Sequence, residues 1–193
     1  MLRNHITALG NHLVRHLSIL LTLIALLWLL EIVDLILWHV PLDAFGIRPR
    51  TLVGLRQILF APFLHVGFAH LTANTIPLLV LGWLVLLRST RDFVLVSLLA
   101  TGVSGLGVWI TAPSYTVHLG ASGVIFGYLG YLWARGFFER SVAALVLGAI
   151  AALLYGGILW GVLPGQAGVS WQAHLFGFLG GIGAASLLAQ RNR

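Results

Sequence analysis

Six apolar runs, nearly free of charge, divide this chain and constrain its fold more than any other feature. They extend from Leu17 to Trp38, His70 to Leu87, Phe93 to Ala112, Ala121 to Ala134, Val142 to Leu163, and Trp171 to Ala189. About 20 mostly apolar residues, wound as a helix, cross a bilayer. The fourth run is the shortest. Lipid offers the backbone no hydrogen bonds, so a spanning segment must satisfy its own as a helix. The expectation is an all-α membrane protein, a bundle of six transmembrane helices. Charge agrees with it. Only 8% of residues are charged, where a soluble domain carries roughly 25%. Lipid must cover most of such a surface.

The whole chain, 1–193, is expected to form one transmembrane domain, without a repeat at solenoid period, a low-complexity tract or an appended soluble domain. Residues 1–16 are expected to form a short cytoplasmic tail, with His5, His12 and His16 as solvated groups. The first run is too long for a signal h-region and lacks a small-residue cleavage site after it, so it is taken as a span. Residues 39–69 hold Pro41, Pro49 and Pro62, and are expected to form a long, partly embedded first loop. Arginine placement sets the orientation. With the N-terminus inside, the inner segments hold Arg3, Arg15, Arg88, Arg91, Arg135, Arg140, Arg191 and Arg193, against Arg48, Arg50 and Arg56 outside. Both termini are therefore expected in the cytoplasm. The compact design favours the inner membrane of a prokaryote. The fifth run is the plainest and the natural candidate to move.

The chain has no cysteine, which excludes disulfides, thiolate metal sites and a cysteine nucleophile. All 11 basic residues are arginines scattered between apolar runs rather than gathered in a patch. No nucleic-acid partner is expected, and no metal or other cofactor. The histidines form no H-E-x-x-H pattern of a zinc hydrolase. The expected partners are the bilayer and the membrane segments of other proteins. Oligomeric state leaves no mark in the sequence.

Chemistry must come from polar groups that lipid would not tolerate. With the N-terminus inside, the second, fourth and sixth runs all begin at the outer face. His70 and Asn74 open the second, Ser122 opens the fourth, and His174 opens the sixth. Three polar clusters, distant in sequence, thus share one depth. Gly120, Gly123, Gly127 and Gly130 trace one face of the fourth run, and His174, Gly177 and Gly181 trace one face of the sixth. Small residues let helices approach closely. If these faces pack, the Ser122 hydroxyl and the His174 imidazole can meet as a nucleophile and its base. Phe126, one turn below Ser122, can stack on His174. The Ser122 N–H, the Asn74 amide and a His70 N–H are candidate donors to an oxyanion.

Three motifs in this chain resemble those of the rhomboid intramembrane proteases. They are His65-x4-His70-x3-Asn74, Gly120-Ala121-Ser122-Gly123, and Ala173-His174-x2-Gly177-x3-Gly181. Each is weak alone; their order and their placement on alternate runs make them specific together. The resemblance covers about Arg56 to Ala185. It implies a rhomboid-like six-helix core and a catalytic Ser122–His174 dyad. It also implies an oxyanion and substrate-binding site with His70, Asn74 and Gly120, supported by Phe126, Gly177 and Gly181. The implied activity is cleavage of other proteins' membrane spans near the outer face, at small or helix-destabilising residues. One departure is Leu55-Arg56, where family members often carry Trp-Arg.

His65 is expected to serve the structure of the first loop. Glu31 and Asp34 are expected to cap the first span, bind loop groups or meet water. Nothing in the sequence specifies a role for His118. The competing readings are a catalytically silent relative that binds or escorts membrane segments, a metal or haem protein using His65, His70 and His174, and a transporter. No inverted repeat with paired broken helices supports the last.

Overall fold

The computed structural model describes residues 2–36 and 41–191, with side chains from Gly10 onward. Seven α-helices follow in order: α1 (Leu2–Ile36), α2 (Leu52–Gln57), α3 (Gly67–Leu86), α4 (Thr90–Thr111), α5 (Ser122–Glu139), α6 (Val142–Tyr155) and α7 (Trp171–Arg191). Short 3-10 turns cover Leu42–Phe45, Ala61–Phe63 and Gly156–Val162.

Five stretches are long and apolar enough to cross a membrane: Gly10–Ile36, α3, α4, Val142–Val162 and α7. The expected fourth span, α5, is a helix of 18 residues that ends on Arg135, Glu139 and the left-handed Arg140. It is the central rod of the bundle. Every residue from Gly123 to Leu132 is buried, because α5 packs against α7, α4, α6 and α3 at once. A helix enclosed on all sides needs less apolar surface than one bathed in lipid, which explains its six glycines and tyrosines among the buried positions.

Two expectations need correction. Residues 2–16 are not a separate tail but the first turns of α1. His16 is not solvated but buried, with the Trp83 ring edge-on to it at 6.4 Å. Trp38 and His39, where the first run was to end and the loop to begin, lie outside the described residues.

The first loop is a folded lobe. Thr51 caps α2 by accepting the Gly54 N–H at 2.9 Å. The Asp34 carboxylate accepts the Leu42 N–H, so Asp34 does bind a loop group. Ile47 and His118 exchange two backbone hydrogen bonds, at 2.7 and 3.0 Å. The Gly120 N–H donates to the Ala61 carbonyl at 2.9 Å. The lobe is thereby fastened to the segment that leads into Ser122. At the other end of the bundle Arg135 pairs with Glu139 at 3.0 Å, and the Tyr131 hydroxyl donates to the buried Asp92 at 3.0 Å.

Candidate active site

The contact of α5 with α7 places the site. A methyl group on Gly177 would overlap the Gly123 carbonyl, and one on Gly181 would overlap the Gly127 carbonyl. The two helices therefore touch backbone to backbone, along the faces anticipated from their glycine spacing. Ser122 heads one of these helices and His174 lies in the first turn of the other.

Both residues line one cavity of about 590 Å³, together with His70, Asn74, His118 and Ser170. The first turns of α3, α5 and α7 thus converge at one end of the bundle, as their shared depth anticipated. No acidic side chain among the described residues lines this cavity. Among the described residues, no group of three or more His, Asp or Glu side chains is placed to hold a metal ion.

The His174 ring is held on two sides. Its plane lies 7° from that of Phe126 with centroids 4.1 Å apart, the stacking expected from the sequence. Its Nδ1 lies 3.0 Å from the Gly161 carbonyl oxygen. A carbonyl can only accept, so Nδ1 carries the proton and Nε2 keeps its lone pair. A backbone oxygen thus orients the ring. Sequence reasoning missed it, because any residue has a carbonyl. The available signal was Gly161 itself, where a Cβ would stand 2.8 Å from Nδ1.

Ser122 is the first residue of α5, and its N–H has no intrahelical acceptor. Gly120, two residues earlier, has φ +116°, and a Cβ there would stand 2.7 Å from the His70 ring. Only glycine suits that backbone and that gap. Asn74 is buried and donates one amide proton to the His70 carbonyl at 3.2 Å, which leaves its second proton uncommitted. His65, 2% exposed, packs edge-on against His70 and accepts the Ala121 N–H through Nε2 at 3.4 Å. Its role is to brace the turn before Ser122, as expected for a structural loop residue. Burial holds its imidazole down to about 4, neutral at ordinary pH.

His118 acquires a place that the sequence did not specify. Its Nε2 lies 2.7 Å from the Thr116 hydroxyl, and its Nδ1 lies 2.7 Å from the Ser170 hydroxyl. Thr116 spends its own proton on the Pro113 carbonyl at 2.6 Å. His118 therefore donates from Nε2 and accepts at Nδ1. Ser170 in turn accepts the Ala173 N–H, at 3.4 Å, in the first turn of α7. One ordered chain of hydrogen bonds ties the segment before Ser122 to the helix of His174. Burial lowers the His118 pKa, which favours the neutral ring that this chain requires.

A family model described as the rhomboid domain matches residues 54–191. An uncharacterized protein of Mycobacterium tuberculosis is 44% identical over 182 residues, covering 90% of this chain and 75% of the relative. A putative rhomboid protease of Bacillus subtilis, YdcA, is 29% identical over 90% of this chain and 88% of its own length. The B. subtilis rhomboid protease GluP is 29% identical over 76% of this chain and 29% of its own length. The match spans α2 to α7 and every residue that meets in the cavity, so the chain belongs to the rhomboid family.

Proposed function

We propose that this protein is an intramembrane serine endopeptidase that cuts the transmembrane segments of other membrane proteins near the outer face. The observation that carries the proposal is the His174 ring, fixed by Phe126 and the Gly161 carbonyl within the cavity that Ser122 lines. The Ser122 Oγ attacks the scissile carbonyl, and its proton passes to His174 Nε2. The oxyanion takes hydrogen bonds from the Ser122 N–H, the free Asn74 amide proton and His70. His174 returns the proton to the leaving amine. Water then attacks the acyl-enzyme and gives its proton to His174, which passes it to Ser122 Oγ as the ester bond breaks and the new carboxyl end leaves. Each oxyanion donor contributes about 2.7–4 kcal/mol to such a transition state.

The same reading adds α5 to the five candidate spans, as the fourth of six, and sets both termini in the cytoplasm of a prokaryotic inner-membrane protein. The outer end of the bundle is then the end with the cavity, where water can reach an acyl-enzyme. The silent-relative alternative calls for a lost dyad member, and both are present.

The test is cleavage of a model single-span substrate by purified protein in detergent or liposomes. Wild type cleaves, and Ser122→Ala and His174→Ala do not. Equal cleavage by all three proteins would remove the assignment.

A further inference from the structure

At the end of the bundle away from Ser122, α1 and the turn from α3 into α4 enclose a second recess of about 500 Å³. Arg15, Arg88 and Arg91 all line it, with His12, His16 and Thr90, and among the described residues no acidic side chain does. Three guanidinium groups around one hollow repel one another, and a rule of topology alone does not require them to share it. Arg88 leans away toward Asp92 and Glu139, at the long distances of 3.6 and 3.7 Å. Arg91 has no ion-pair partner among the described residues.

A second observation is independent of charge. His16 is 8% exposed, yet its Nδ1 has no hydrogen-bond partner among the described residues, and the buried Thr90 hydroxyl has none among them either. Both residues belong to the wall of this recess. Two orphaned polar groups in one wall are costly unless something meets them. Thr90 also opens α4, whose Ser89 cap serves the Asp92 N–H and leaves the first backbone N–H groups without acceptors. That helix end favours negative charge. Leu13 and Leu87, apolar and exposed, complete the lining. The recess lies where α3 ends and α4 begins, at the ends of two helices long and apolar enough to cross a membrane, and basic hollows at such a position suit acidic headgroups.

We propose that this recess binds the phosphate headgroup of an anionic phospholipid through Arg15, Arg88 and Arg91, with His16 and Thr90 adding hydrogen bonds and Leu13 and Leu87 meeting the apolar part. The lipid would join α1 to the α3–α4 turn on the face opposite the proteolytic cavity. The proposal concerns binding alone and stands apart from the proposed protease activity.

The experiment uses full-length protein, stripped of lipid in detergent, and measures retained lipid by native mass spectrometry alongside the thermal midpoint. Phosphatidylglycerol, phosphatidylcholine and inorganic phosphate are compared. Phosphatidylglycerol is expected to bind and raise the midpoint, and phosphatidylcholine is not. The double variant Arg15→Gln/Arg91→Gln should weaken phosphatidylglycerol binding by about tenfold or more, because two charge-assisted contacts are lost together. Arg191→Gln, which removes a charge outside the recess, should leave it intact. Thr90→Val removes a single hydroxyl and should weaken binding as well, which keeps the test decisive if the double variant does not fold. Equal binding of the two lipids, or equal loss in Arg191→Gln, overturns the proposal. Saturation by inorganic phosphate without any response to phosphatidylglycerol overturns the lipid as the source.

Discussion

His118 and Ser170 meet at 2.7 Å, and each stands four residues ahead of one member of the proposed dyad, Ser122 and His174. The pair is a strut between two segments that the chain separates by 52 residues. Its removal should disturb the reacting geometry more than the fold. His118→Ala is expected to lower kcat/KM for a model substrate by about 10- to 100-fold, since misplacement by an ångström costs that much. His118→Asn, which keeps one donor and one acceptor, should recover part of it. Wild-type kinetics in His118→Ala would show that the strut is idle.

The Gly161 carbonyl and the Phe126 ring hold the His174 imidazole from different directions. A methyl at Gly161 would press on His174 Nδ1 from 2.8 Å and on Phe126 from 3.4 Å. Gly161→Ala is therefore expected to lose about tenfold or more in cleavage rate, and Phe126→Leu to behave alike. Labelling of Ser122 by a fluorophosphonate should fall in parallel, with the thermal midpoint little changed. Full labelling in both variants would show that the base needs neither support.

The α5–α7 contact gives a paired prediction on stability. Gly181→Ala forces a methyl against the Gly127 carbonyl, and overpacking of this kind costs about 1–3 kcal/mol. Gly183, two residues on in the same helix, has open space where a Cβ would go. Gly183→Ala should leave stability unchanged or raise it by up to about 1 kcal/mol through helix propensity. Thermal melts in detergent check the order: Gly183→Ala at or above wild type, Gly181→Ala well below.

His65 makes stability depend on pH. Burial, with His70 beside it, pushes its pKa from 6.5 down to about 4 against the pull of the Phe63 carbonyl. In the unfolded chain the ring charges near 6.5, so between there and about 4 the unfolded state takes up a proton that the folded state refuses. Stability is whole above 6.5 and falls as pH drops through this window, by a total of the order of 3 kcal/mol. His118, also lowered by burial, adds in the same direction. The midpoint in detergent should fall between about pH 7 and about pH 5, and less steeply in His65→Gln. A midpoint that rises on acidification would contradict the buried neutral ring.

What the sequence made legible followed from regular geometry. A helix advances by a fixed rise, so polar residues opening alternate runs had to share a depth, and His70, Asn74, Ser122 and His174 do line one cavity. Glycines at 123 and 127 and at 177 and 181 had to share faces, and those faces meet. What stayed hidden depends on irregular backbone. The acceptor for His174 is a main-chain oxygen in a 3-10 turn, which no residue type announces. The His118 strut exists only once Thr116, Ser170 and the Ile47 backbone converge. Residues 2–16 looked solvated because Arg3, Asn4, His5, Asn11, His12, Arg15 and His16 interrupt the apolar run, although Leu2, Ile6, Leu9 and Leu13 keep helical spacing. They continue α1 nonetheless, and His16 is covered by Trp83 of α3.

The turn Gly156–Val162, which supplies the acceptor for His174, has no buried residue of its own. Ile158 and Leu159 seat it on the bundle core, so the aim of the imidazole hangs on two half-buried side chains close by in the chain. Whatever shifts this turn would unhitch the ring, and the proposed catalyst with it.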